Sequence, residues 1–114
     1  MSDLVPRTRT FALRCLKVAD SLPRKPGAIA IAHQLARSGT STAANYRAAQ
    51  KARSKAEFKA KLQIAMEEAD ESQFWLSLAA ETGYLSADLL QDLTQESREL
   101  TAILVASLKT ARQG

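Results

Sequence analysis

The chain has 114 residues, 46% apolar, 5% aromatic and 25% charged, with a formal net charge of +4. That length suits one domain able to bury a core; no apolar run approaches the roughly 18 residues of a membrane span, and one Cys excludes an internal disulfide and offers no metal-ligand cluster. The charge is uneven: residues 1–63 hold thirteen Lys and Arg against three acids, a balance of +10, while residues 64–114 hold three against nine, a balance of −6. The asymmetry implies either an acidic partner such as nucleic acid, or pairing of the basic half with the acidic half within a bundle or between subunits. The first residues lack the apolar core of a signal peptide, so the expected location is cytoplasmic.

Residues 1–6 read as a loose end, and a first helix is expected from about Arg7 to Ser21. Phe11, Cys15, Val18 and Leu22 form its stripe, widened by Ala12, Leu16 and Ala19. Cys15 reads as a small buried hydrophobe, since nothing near it would activate a thiol. Pro23, Pro26 and Gly27 break the pattern.

A second helix is expected from about Ala28 to Lys51, burying Ile29, Ala32, Leu35, Ala36, Gly39, Ala43 and Tyr46. Within it Ala32, Ala36, Gly39 and Ala43 recur at steps of four, three and four, a helix-packing face stripped of bulk. A Gly inside a helix costs about 1 kcal/mol against Ala. Close approach of a neighbouring helix is the expected reason for Gly39; a break near residues 38–42 and a ligand touching the bare backbone are the alternatives. His33 has no second ligand at metal spacing and reads as a surface or packing residue.

Ser54-Lys55-Ala56-Glu57 matches a capping box and opens a third helix over about Lys55 to Thr82. Phe58, Leu62, Ala65, Ala69, Ser72, Leu76 and Ala79 form its seam. Met66, Phe74, Trp75 and Leu78 widen the apolar surface, and Phe74, Trp75 and Leu78 are candidates for an oligomer interface, with a core position the equal alternative for Trp75. Glu67, Glu68, Asp70 and Glu71 read as a solvated face or as salt-bridge partners of Arg37 and Arg47 rather than as a catalytic or metal cluster. Gly83 should stop this helix and Ser86 should cap a fourth, about Ala87 to Ala111, with Leu85 and Leu90 as a staple and residues from Thr110 onward fraying. Its seam is Leu89/Leu90, Leu93, Ser97, Leu100, Ile103/Leu104 and Leu108. The expected fold is therefore all-α, one domain over residues 1–114: an antiparallel up-down-up-down four-helix bundle.

Around the second turn stand Arg47, Lys51, Arg53, Lys55, Lys59 and Lys61, with no acid before Glu57. These are the candidate nucleic-acid-binding residues, through phosphate contacts. Phosphate-binding, dinucleotide and zinc-protease motifs are absent, so the sequence gives no positive support to an enzyme, a catalytic residue, a metal or a cofactor.

The block Gln34, Leu35, Arg37, Ser38, Ser41, Ala44, Asn45, continuing through Ala48, Ser54, Glu57 and Phe58, resembles a bacterial family of four-helix-bundle proteins. That family includes proteins encoded in ribosomal RNA intervening sequences, and the accessory variability determinant of diversity-generating retroelements is similar. Glu68, Ala69, Glu71, Ser72, Trp75 and Leu76, and then Gly83-Tyr84-Leu85, fit the later pattern, so the resemblance spans about residues 11–108. Asn45-Tyr46-Arg47-Ala48-Ala49-Gln50 departs from the frequent Ala-Glu-Gly form after Asn, and does not place the chain in the retroelement branch. The resemblance implies a homopentameric ring and a non-enzymatic role with nucleic acid, or with a nucleic-acid enzyme such as a reverse transcriptase, as partner. Two functions follow as expectations: a basic oligomer binding RNA or DNA backbone, and a protein-interaction scaffold.

Overall fold

Each helix begins where the chain supplies a proline or a cap. The computed structural model describes residues 4–113, which form α1 (Leu4–Ser21), α2 (Pro26–Gln50), α3 (Lys55–Glu81) and α4 (Ala87–Gln113), with no strand among the described residues. α1 starts a turn earlier than its pattern suggested. Pro6 falls in its first turn, where the missing N–H has no helical partner to lose, and Leu4 is buried. Residues 1–3 of the expected loose end lie outside the described residues. Pro26 opens α2 two residues ahead of Ala28, since its fixed φ is already helical. Ser54 Oγ accepts the Glu57 N–H at 3.1 Å and starts α3. Ser86 Oγ accepts the Asp88 N–H at 3.2 Å ahead of α4. Between them Gly83 takes φ +76°, a left-handed conformation that favours glycine and ends the helix run. α4 continues through Gln113 instead of fraying from Thr110, because no breaker precedes Gly114 and Arg112 is tied to α3.

The helices form a four-helix bundle about 46 × 20 × 19 Å across its Cα atoms. Each helix packs on its neighbour in the chain, and α1 also touches α4, more sparingly. The core seam of α3 is Leu62, Ala65, Ala69, Ser72, Leu76 and Ala79, all fully buried. α4 faces it with Leu90, Leu93, Ser97, Leu100, Leu104 and Leu108. Each leucine so buried contributes on the order of 2 kcal/mol. Leu89, the alternative to Leu90 in the sequence pattern, is 73% exposed.

The buried face of α2 is rotated from the expected one. Ile29 is exposed and Ile31 buried, while Ser38 and Thr42 lie at the centre of the seam. Both hydroxyls are satisfied inside: Thr42 Oγ1 donates to Ser38 O at 2.8 Å, and the Ser38 and Ser72 hydroxyls meet at 2.8 Å across the α2–α3 contact. An apolar-only reading of periodicity passes over such residues, because a short hydroxyl bonded to its own helix can be buried at little cost.

Cys15 is fully buried, and burial pushes its thiol up to about 12. Gly39 of α2 lies directly against it. The α1–α4 contact is held by Arg7, whose Nε donates to Glu96 Oε2 at 2.8 Å and whose Nη2 reaches Glu99 Oε1 at 2.9 Å.

Candidate nucleic-acid interface

The α2–α3 turn gathers cations because two helix ends meet there across four residues, 51–54. Lys51 closes α2, its N–H donating to Ala48 O at 3.1 Å. Cations suit the negative end of a helix dipole, so Arg47 and Lys51 have a local structural reason to sit in the last turn of α2. Lys55 has the opposite placement: it is the first residue of α3, where the dipole disfavours positive charge and Glu57 is the favourable neighbour. Arg47, Lys51, Arg53 and Lys55 are exposed, and Lys59 and Lys61 are half-buried along α3.

Two other arginines are neutralised. Arg7 is held by Glu96 and Glu99. Arg37 is paired with Glu68 and Glu71 of α3. Its Nη1 stands 3.2 Å from both Glu68 oxygens, donating to Oε2 and leaving Oε1 buried with no hydrogen bond. The Glu71 carboxyl also accepts the Trp75 indole N–H at 3.0 Å. That bond, together with Arg37 and against the effect of burial, holds Glu71 below the usual carboxylate range. By contrast Arg47, Lys51, Arg53, Lys59 and Lys61 form no ion pair among the described residues. Arg47, expected beside the α3 acids, lies instead on the α1 side with Val5 and Arg9. Ten residues separate it from Arg37, and at 3.6 residues per turn that rotates it about 80° around the helix.

The end of α4 joins this end of the bundle. Arg112 Nη2 donates to Gln63 Oε1 at 2.8 Å, and Gln63 Nε2 in turn donates to Glu67 Oε2 at 2.8 Å. Lys109 and Arg112 border an open groove with Gln63 and Met66, and Lys59 precedes Gln63 by one turn on the same face. Lys109, Arg112 and Arg9 are therefore cations that the turn-centred sequence reading missed. They belong to helices distant in sequence, and two of them are brought in where Arg112 of α4 meets Gln63 of α3. A basic last turn on α4 was the one available signal.

The other candidates lie elsewhere. Gly39 is buried against α1, and Ala32, Ala36 and Ala43 are half-buried on the same side of α2. Phe74 is exposed on α3, while Trp75 and Leu78 are half-buried against the core. His33 is exposed, and among the described residues no group of three His, Cys, Asp or Glu is placed to hold a metal. No described helix is long and apolar enough to cross a membrane.

A family model described as 23S rRNA-intervening sequence protein matches residues 2–106. The chain belongs to that family. Among solved structures it is similar to a protein of unknown function from the S23 ribosomal protein family of Bacteroides thetaiotaomicron. The two are 31% identical, with a TM-score of 0.86 over 95% of this chain and 96% of that one. No curated protein matches. Family and fold thus agree with the residues that carried the resemblance, from Gln34 through Leu85.

Proposed function

We propose that this family member is a non-enzymatic, cytoplasmic nucleic-acid-binding bundle without a cofactor, which assembles with copies of itself into a ring, a pentamer by family resemblance, and contacts the RNA or DNA backbone through its basic end. The observation that carries the reading is the contrast between paired and unpaired cations. Arg7 and Arg37 are neutralised by carboxylates, whereas Lys51, Arg53, Lys59 and Lys61 keep their charge available at one end of the molecule. Lys55, the first residue of α3, lies at the same end. The up-down-up-down course of the helices is supported by Arg112 of the last turn of α4 reaching Gln63 near the start of α3, and by Tyr84 of the α3–α4 turn lying over Gly27 at the start of α2. That course places both basic helix ends and the α2–α3 turn together.

Phosphate contacts of this kind are sequence-tolerant and release counterions. The aromatic side chains at this end, Tyr46 and Phe58, are buried and half-buried, so stacking on unpaired bases is a minor contribution. Repetition of the basic end around an oligomer multiplies weak contacts by avidity. The test is fluorescence anisotropy of labelled RNA and DNA duplexes at several salt concentrations. The expected result is a log–log slope of several units with little sequence preference, and a flat salt dependence overturns the reading.

A second reading, a scaffold whose basic half pairs with the acidic half of a neighbouring copy and which docks another protein such as a reverse transcriptase, is favoured by the apolar side chains left outside, among them Leu89, Phe74 and Leu13. Reversing Lys51, Arg53 and Lys55 to Glu separates the two. Loss of nucleic acid with the oligomer intact supports the first, and loss of the oligomer supports the second.

A further inference from the structure

α3 carries a face that the bundle does not use. Glu67, Asp70, Phe74 and Glu81 lie along one stripe at steps of three, four and seven residues, all exposed, with Phe74 at 52%. Trp75 stands edge-on behind Phe74 with ring centroids 4.9 Å apart, and is itself fixed by its bond to Glu71. Phe74 is therefore a backed aromatic knob between carboxylates. Glu67 and Asp70 form no ion pair among the described residues, whereas Glu81 lines a cleft that Arg98 also borders.

On another face, α1 and α2 enclose an open groove of about 380 Å³. Val5, Leu13 and Leu16 supply its apolar wall, and Ala43 and Ala44 keep its α2 side shallow. Leu13 is 51% exposed there. Arg9 and Arg47 line it and no acid does. One surface is an aromatic flanked by acids, and the other is an apolar slot flanked by arginines.

We propose that the α1–α2 groove receives the α3 knob of a second copy of this chain, with Phe74 entering between Leu13 and Ala43 while Glu67 and Asp70 meet Arg9 and Arg47. The inference rests on the self-assembly part of the proposed function and assigns the surfaces that carry it. Buried aromatic and arginine anchors at the centre, with charges around them, are what a specific interface needs. Knob and groove are different patches, so the contact is heterologous: each copy offers an unused knob on one side and an unused groove on the other, the arrangement that closes into a ring when the rotation fits.

The test uses two variants, Phe74→Glu and Leu13→Glu, both at exposed positions, with circular dichroism as the check that each remains helical. Mass is read by light scattering at micromolar concentration without nucleic acid. The wild type is expected to be an oligomer and each variant alone a monomer. An equimolar mixture is expected to give a one-to-one dimer and nothing larger, because only the knob of the Leu13→Glu chain and the groove of the Phe74→Glu chain remain intact. In a second arm, Arg9→Glu with Arg47→Glu breaks the assembly, and adding Glu67→Lys with Asp70→Lys to the same chain restores it. A wild type that is monomeric defeats the self-assembly reading itself. A wild-type oligomer that persists in both single variants, or a mixture that stays monomeric, overturns the knob-and-groove pairing alone.

Discussion

A β-carbon placed on Gly39 would stand 2.5 Å from the Cys15 β-carbon and 2.7 Å from its sulfur. Both distances are inside van der Waals contact, and the nearer atom is fixed to the α1 backbone rather than being the end of a flexible side chain. α1 and α2 approach so closely at this level because one residue has no side chain. The helical weakness of glycine, about 1 kcal/mol against alanine, is thus accepted for the close contact.

Gly39→Ala is expected to destabilise the protein, although alanine is the better helix former. Overpacking of this kind costs about 1–3 kcal/mol, which the propensity gain only partly offsets. Cys15→Ala in the same chain should relieve little of it, since the β-carbon clash remains. Urea unfolding of the wild type and the two variants checks this. A Gly39→Ala midpoint at or above that of the wild type would show that the two helices have room to part.

The cations of α4 give a second expectation. Lys109→Glu with Arg112→Glu should weaken duplex binding at low salt and reduce the log–log salt slope by up to about 2, one unit for each phosphate contact removed. The same change at Arg24 and Lys25, in the α1–α2 turn outside the basic cluster, should leave the slope unaltered. Anisotropy titrations at several salt concentrations measure both. Equal losses at the two places would mean that net charge, and not the end built from α2, α3 and α4, governs binding.

Most of this architecture was legible along the chain. Two signals survive without tertiary context: caps such as Ser54 and Gly83, which act on neighbouring backbone groups, and the leucine and alanine seams of α3 and α4, which are long enough to fix their own phase. α2 was harder, because Ser38 and Thr42 hide inside the core by bonding within the bundle, and a pattern built on apolar residues turned the helix toward Ile29. The basic turn could be read from local sequence. Lys109, Arg112 and Arg9 could not, since they reach the same region from helices that are remote in the chain. Charge pairing was half visible: Arg37 meets Glu68 and Glu71, while Arg47 turns away from them.

Arg7 is the clasp of the sparsest seam. It binds Glu96 and Glu99 across α1–α4, and is about a third exposed. Arg7→Gln should cost about 1 kcal/mol, the upper end for a partly solvated pair, and should speed amide exchange in the first turns of α1 more than in α3. Hydrogen exchange followed by mass spectrometry distinguishes this from a uniform loss. If α1 and α3 accelerate equally, the bridge stabilises the bundle as a whole and does not hold α1 in particular.

Glu71 makes the pH dependence of the fold readable. Its carboxyl is held below the ordinary value of 4.5, chiefly by the Trp75 indole N–H and then by Arg37. A carboxylate whose folded value is lowered binds its proton more readily when unfolded, so its contribution is fully present above about pH 4.5 and is lost as pH falls through the lowered value. The side chain is 35% exposed, so solvent limits the effect to about 1 kcal/mol or less. Trp75→Phe keeps the ring against Phe74 and removes only the N–H donor. The variant should be less stable than the wild type at pH 7, and the gap between their urea midpoints should narrow as the solution is taken from pH 5 toward pH 3. A gap that stays constant over that range would place the cost in ring packing and remove Glu71 from the account.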